Sequence, residues 1–180
     1  MVAALCKELI MRKEEAVGSE LQTIYLGGGT ASILTYDELK QLFDTIYSYY
    51  KVSPTAEITI ECNPDDFFRL HTPEQLLQQL VLLGINRLSL GVQSFFEEDL
   101  RLMNRVHTTT QVTTLLPIAS QYFDNITIDL IYGIPMMSNE RWEENIYKAL
   151  SFGIPHISAY ALTVEEKTAL HRFIATGKIP

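Results

Sequence analysis

The sequence predicts an α/β fold built on a parallel sheet, and three observations predict it. Short segments rich in β-branched and aliphatic residues alternate with stretches whose apolar residues recur at helical spacing. One helix-like stretch or a pair of them separates each strand-like segment from the next, which implies right-handed crossovers and strands running parallel. Polar or glycine-bearing turns follow the strand segments, the places where parallel α/β folds carry their ligand loops.

The chain opens on a helix over residues 2–14, with no capping residue before it and no strand leading into it. The first strand is expected over 23–26, followed by Gly27-Gly28-Gly29-Thr30-Ala31-Ser32. A helix over 36–50 carries Leu39, Leu42, Phe43, Ile46 and Tyr47 on one face, with Thr35 as its N-cap. The second strand, 57–62, precedes a helix that begins on Thr72-Pro73-Glu74 and stops at Gly84. The third, 87–92, leads into paired helices over 96–103 and 109–122. The fourth, 126–132, is followed by a helix over 139–152 that stops at Gly153, and the fifth, 156–162, by one over 164–176 that stops at Gly177. The near-continuous apolar character of these five segments reads as strands buried on both faces.

A βα fold normally begins with a strand, so the flank of the 23–26 segment is left as a bare hydrophobic edge, which natural folds avoid. The expectation is a chain whose Met1 lies inside a longer ancestral sequence. With 180 residues, 47% hydrophobic and 20% charged, the composition suits one sizeable core, and no repeat or low-complexity tract marks a linker; residues 1–180 read as one domain. A formal charge of −8 argues against nucleic acid or an anionic membrane as partner, because a polyanion is repelled over most approach directions. A small charged metabolite fits better. No apolar run reaches membrane-spanning length and the N-terminus has no signal-peptide pattern, so the expected address is the cytoplasm. Cys6 and Cys62 indicate neither a disulfide framework nor a metal site, and His71, His107, His156 and His171 are scattered enough to read as surface or core residues.

Side chains at the carboxyl ends of barrel strands share one site, so those positions can be taken together. They are Gly27 to Thr30; Glu61-Cys62-Asn63-Pro64-Asp65; Gly91-Val92-Gln93-Ser94; Tyr132 to Pro135; and Tyr160. Asp129 lies inside the fourth strand, where an unpaired carboxylate costs several kcal/mol by order of magnitude; its candidate partners are Arg105, Arg87 or the hydroxyls of a ligand. Glu61 shares a face with Glu57 and Thr59. Glu61, Gln93, Arg105 and Asp129 together can meet an ammonium, a carboxylate and ribose hydroxyls, since a carboxylate accepts, an amide does both and arginine grips a carboxylate with two parallel bonds. The glycine loop lacks the Gly-Lys-Ser/Thr ending of a P-loop, and Ser32 stands where a dinucleotide fingerprint has its third glycine.

The run 83–95, Leu-Gly-Ile-Asn-Arg-Leu-Ser-Leu-Gly-Val-Gln-Ser-Phe, followed by Leu102-Met103-Asn104-Arg105-Val106-His107, resembles the radical S-adenosylmethionine proteins related to oxygen-independent coproporphyrinogen III oxidase. So do Gly27-Gly28-Gly29-Thr30, Glu61-Cys62-Asn63-Pro64 and the run 128–135, Ile-Asp-Leu-Ile-Tyr-Gly-Ile-Pro; the 157–163 segment with Lys167 to Leu170 looks closer to the heme-chaperone (HemW-type) branch than to the oxidase. The resemblance implies a partial, open (βα)6 TIM-like barrel that lacks its first strand and binds S-adenosylmethionine across its strand ends. By position, Gly28, Gly29 and Thr30 would hold the methionine ammonium with Glu61 nearby, Arg105 the carboxylate, and Gln93 and Asp129 the ribose. Porphyrin or heme would be the partner of a full-length relative.

Ala31 stands where the family commonly has a proline, and Thr163 where an adenine contact would fall. The larger departure concerns the [4Fe-4S] cluster, which the family holds on a Cys-x3-Cys-x2-Cys triad on its first strand. No such triad occurs in these 180 residues, and two distant cysteines cannot supply a thiolate to each protein-bound iron. The family's C-terminal region is likewise expected to lie outside this sequence. The chain as it stands is therefore expected to be a catalytically silent part of a protein of heme metabolism, with the S-adenosylmethionine half of the site present. A phosphate-binding metabolic barrel is the distant alternative, because Lys51, Lys148, Lys167 and Lys178 fall on helices or their ends rather than at strand ends.

Overall fold

The computed structural model describes residues 1–70 and 72–178; His71 lies outside the described residues. Five strands run parallel and side by side in chain order, β1 (Leu21–Leu26), β2 (Val52–Cys62), β3 (Arg87–Gln93), β4 (Asn125–Tyr132) and β5 (His156–Ala161). The sheet curls into half a barrel, an α/β TIM-like fold. The helices are α1 (Val2–Arg12), α2 (Tyr36–Tyr49), α3 (Pro73–Leu82), α4 (Glu97–Leu102), α5 (Thr109–Ala119), α6 (Asn139–Ser151) and α7 (Ala169–Ala175).

Local signals start most of these helices where the sequence places them. Thr35 with Glu38, Thr72 with Gln75 and Thr108 with Gln111 form reciprocal capping boxes, and Ser138 and Thr168 each accept a backbone N–H three residues on. Each such cap stabilises its helix by about 1 kcal/mol. Thr168 also explains why α7 starts at Ala169 rather than at 164: the segment before the cap turns through Lys167 at φ +68°. The helix expected to reach 122 ends as α5 at Ala119, and α1 tightens at Arg12 into a 3₁₀ turn, Lys13–Ala16.

The expectation of strands buried on both faces holds at the centre of the sheet, where β3 is buried from Leu88 to Gln93 and Thr59 of β2 and Thr127 of β4 are buried beside it; it is corrected at the outer strands β1 and β5, which are largely exposed. Polarity, not burial, alternates along the central strands. Ile58, Ile60, Leu88, Leu90, Ile126 and Ile128 form one core with Leu39 and Phe43 of α2, Leu77 and Leu80 of α3, and Leu115 and Leu116 of α5. The opposite face is polar. The parallel register aligns Glu61 with Ser89, Ser89 with Thr127, and Thr127 with His156, and places Asp129 beside Ser158. The apolar run within each strand conceals this period of two because only one or two polar residues interrupt it.

β2 begins five residues earlier than expected, because Leu21 pairs with Val52 and the register then slips so that Thr23 pairs with Glu57. The Asn86 amide clamps this irregular stretch, accepting from Ile58 N at 2.8 Å and donating to the Ala56 carbonyl at 2.8 Å. β1 is an edge strand, as expected, and an apolar groove of about 590 Å³ separates its free flank from α1.

Candidate functional site

The parallel topology points every strand's carboxyl end the same way, and the loops there enclose a polar cleft of about 320 Å³. Gly29, Thr30, Glu61, Gln93, Arg105 and Asp129 all line it. Of the residues the resemblance assigns to the cofactor, Gly28 does not; its backbone N–H donates instead to Glu61 Oε2 at 3.0 Å, in the cleft wall. Of the wider strand-end set, Gly27, Pro64, Asp65, Val92, Ser94, the Tyr132 to Pro135 run and Tyr160 also fall outside the lining.

The β1 side is built around Glu61. Its Oε1 accepts from the Tyr25 hydroxyl at 2.8 Å, so both carboxylate oxygens are held by the strand and loop opposite. Burial and the Glu61 charge push the Tyr25 phenol up, which keeps it protonated and donating. Gly27 makes this contact possible. A Cβ there would stand 2.5 Å from the Tyr25 ring and 2.7 Å from the Glu61 carboxyl, so only a bare backbone fits beneath the pair. Thr30 Oγ1 accepts from the Asn63 amide at 3.1 Å, joining the glycine loop to the β2 exit.

The β3 side is tighter. Gln93 is buried and has φ +66°, and Ser94 N donates to the Val92 carbonyl at 2.8 Å, closing a three-residue γ-turn centred on Gln93. Its side chain folds back over Gly91, where a Cβ would lie 2.8 Å from Gln93 Nε2 and 3.2 Å from Asn63 Oδ1. The sequence names Gly91 only as part of the strand end; its role is visible only once Gln93 turns back over it.

Across the cleft Asp129 is half-buried and Arg105 stands at the mouth. Among the described residues neither carries an ion-pair partner within 4.0 Å. Arg87, one of the partners considered for Asp129, is committed elsewhere: it pairs with Glu57 at 3.2 Å and donates to Thr127 Oγ1 at 2.7 Å. Burial raises the Asp129 carboxyl above its ordinary value, and the Glu61 charge adds to the effect, while Ser158, His156 and Arg105 oppose it. The site therefore keeps an acceptor and a cation facing the cleft and unmatched by one another, an arrangement that favours a ligand carrying donors and a negative group.

A parallel half-barrel with a polar, amino-acid- and hydroxyl-complementary cleft at its strand ends defines a class: α/β proteins that bind a small polar cofactor on the sheet's carboxyl edge. The chain belongs to the Radical SAM superfamily, whose sequence pattern matches residues 5–160. It is 35% identical over 179 residues to the heme chaperone HemW of Synechocystis sp., covering 99% of this chain and 42% of that protein. It is 36% identical over 178 residues to the heme chaperone HemW of Bacillus subtilis, covering 98% and 46%. The solved structure of coproporphyrinogen III oxidase (HemN) from Escherichia coli, a radical SAM enzyme, superposes with a TM-score of 0.84 at 28% identity, over 99% of this chain and 40% of that one. The chain thus spans less than half the length of these relatives.

The residues present divide sharply between the two groups the family implies. The donor set of the cleft is chemically compatible with S-adenosylmethionine: it holds a carboxylate and a guanidinium without ion-pair partners, a buried amide, and a glycine backbone under Glu61. A [4Fe-4S] cluster finds no fit among the described residues. Cys6 sits on α1 with its thiol toward the Gln41 carbonyl, Cys62 is buried at the end of β2 with burial pushing its thiol far up, and no group of three metal-ligating side chains occurs. No helix among the described residues is long and apolar enough to cross a membrane.

Proposed function

We propose that this chain is the S-adenosylmethionine-binding portion of a radical SAM protein of the heme-chaperone type, with residues 1–180 acting as one domain. The observation that carries the reading is the convergence of Gly29, Thr30, Glu61, Gln93, Arg105 and Asp129 on one cleft. Bound S-adenosylmethionine supplies a sulfonium-activated adenosyl group. Glu61, prepositioned by Tyr25 and Gly28 N–H, accepts from the methionine ammonium beside Gly29 and Thr30. Arg105 takes the carboxylate, and Gln93 and Asp129 take the ribose hydroxyls. Heme or porphyrin handling is the task of the whole protein in this reading, by similarity to the heme chaperones, and the cytoplasm is its address. These 180 residues alone bind the cofactor without cleaving it, since their cysteines do not provide a cluster's ligands.

Calorimetric titration with S-adenosylhomocysteine tests the reading. Saturable heat that Arg105→Ala and Asp129→Asn both weaken is the expected result. No heat at millimolar ligand sinks it.

A further inference from the structure

The geometry points to His107 and Asn145 as positioning residues that hold the γ-turn at Gln93 and so aim its amide into the cleft. The inference rests on the cofactor-binding reading above and adds to it two residues that do not line the cleft.

A γ-turn with positive φ at a residue bearing a side chain is strained, and such a conformation persists only where its surroundings over-determine it. Here the surroundings clamp both sides of Gln93. On one side, the Val92 carbonyl receives not only Ser94 N–H but also His107 Nε2 at 3.0 Å. A carbonyl only accepts, so Nε2 carries the proton and the ring presents Nδ1 toward Asp65, at 4.0 Å. His107 is 3% exposed and lies two residues past Arg105, so the same loop that brings the guanidinium to the mouth also pins the end of β3.

On the other side, Asn145 of α6 reaches the turn from behind the sheet. Its Oδ1 accepts from Phe95 N at 2.7 Å and lies 3.3 Å from Ser94 Oγ, while its Nδ2 donates to the Arg141 carbonyl. The Ser94 hydroxyl donates to Asp99 Oδ2 at 2.7 Å and accepts from Phe96 N at 3.1 Å, and Arg141 neutralises Asp99 at 3.1 Å. Ser94 and Asn145 are fully buried. The network is thus closed within the protein and offers nothing to solvent; what it determines is the path of residues 93–96. Released from the two clamps, Gln93 relaxes to negative φ and its side chain leaves the space over Gly91.

A double-mutant cycle on the full chain separates positioning from general stability. S-adenosylhomocysteine affinity is measured for His107→Leu, His107→Gln, Asn145→Leu, Gln93→Ala and the pairs of each clamp variant with Gln93→Ala. His107→Leu and Asn145→Leu are expected to weaken binding about tenfold each, with His107→Gln restoring most of it through its own N–H donor. In the Gln93→Ala background neither leucine variant weakens binding further. Full additivity with Gln93→Ala, or wild-type affinity in both leucine variants, overturns the inference. Hydrogen exchange at the Ser94 amide supplies a ligand-free readout. Protection there falls in His107→Leu while the Leu90 amide stays protected, and unchanged Ser94 protection refutes the clamp. If wild-type protein binds no S-adenosylhomocysteine but the Ser94 result appears, the cofactor reading fails and the clamp stands as a structural device. Should Asn145→Leu fail to fold, the His107 pair and the exchange experiment decide.

Discussion

Asp129 shows how a single side chain can be set against stability for the sake of a site. Because burial and Glu61 raise its pKa on folding, the stability associated with it is complete below the ordinary carboxylate value and is lost as pH rises through the folded one. At neutral pH the charged group therefore weakens the fold, and Asp129→Asn should raise the free protein's unfolding midpoint by about 1 kcal/mol equivalent while weakening S-adenosylhomocysteine. Denaturant titration and calorimetry on the same variant check both signs. His107 titrates the other way. Burial lowers its pKa from 6.5, so its contribution is full above that value and is lost as pH falls through the folded value. Wild-type stability should decline below about pH 6.5, and His107→Gln should flatten that limb of the profile. Gly27 makes a third residue-scale case. The atoms a Cβ would meet are ends of side chains that can swing aside, so Gly27→Ala should cost no more than about 1 kcal/mol in stability. Swinging them aside displaces Glu61, and affinity should fall about tenfold.

At the level of elements, backbone strain sits at the end of β3, in Gln93, and in the loops. The β4–α6 loop puts Met136 at φ +69° with its side chain largely in solvent, where a left-handed conformation is unfavourable by about 1 kcal/mol for a residue with a Cβ. Met136→Gly should recover roughly that amount in a denaturant unfolding curve, since no buried contact is lost with the side chain. β2 shows the opposite arrangement, an irregular strand made regular by one side chain. Asn86→Ala removes both bonds to the β2 backbone and should cost about 2 kcal/mol, with faster hydrogen exchange confined to residues 56–58.

Taken whole, the molecule is a sheet with an apolar convex face sealed by helices and a polar concave face open toward the cleft. The order β1-β2-β3-β4-β5 brings the loops after β1, β2 and β3 and Asp129 of β4 to one cleft, so binding ties together segments distant in sequence. Saturating ligand should therefore raise the unfolding midpoint of the entire chain in one transition. Cys6 lies against α2, away from that edge, and Cys62, though it borders the cleft, is a single buried thiol. Anaerobic reconstitution of these 180 residues with iron and sulfide should leave no stable cluster in absorbance or spin-resonance spectra, and a stoichiometric cluster would contradict the donor chemistry described.

The alternation of strands and helices, the helix starts at Thr35 and Thr72 and the chemical kinds of the strand-end groups were legible in the sequence, because each is a local property: spacing along a helix, a hydroxyl three residues from a free N–H, a carboxylate or glycine at a strand's end. Gly29, Thr30, Glu61, Gln93, Arg105 and Asp129 could be singled out on those grounds and on their resemblance to a known pattern. What the chain alone concealed were relations across space. Tyr25 under Glu61, Gln93 folded over Gly91, Arg87 drawn off to Glu57 and Thr127, and the alignment of buried polar residues along one face of the central strands all depend on which residues the parallel register places opposite one another. That register is decided by packing the helices onto one face of the sheet, a tertiary event that no window of sequence contains.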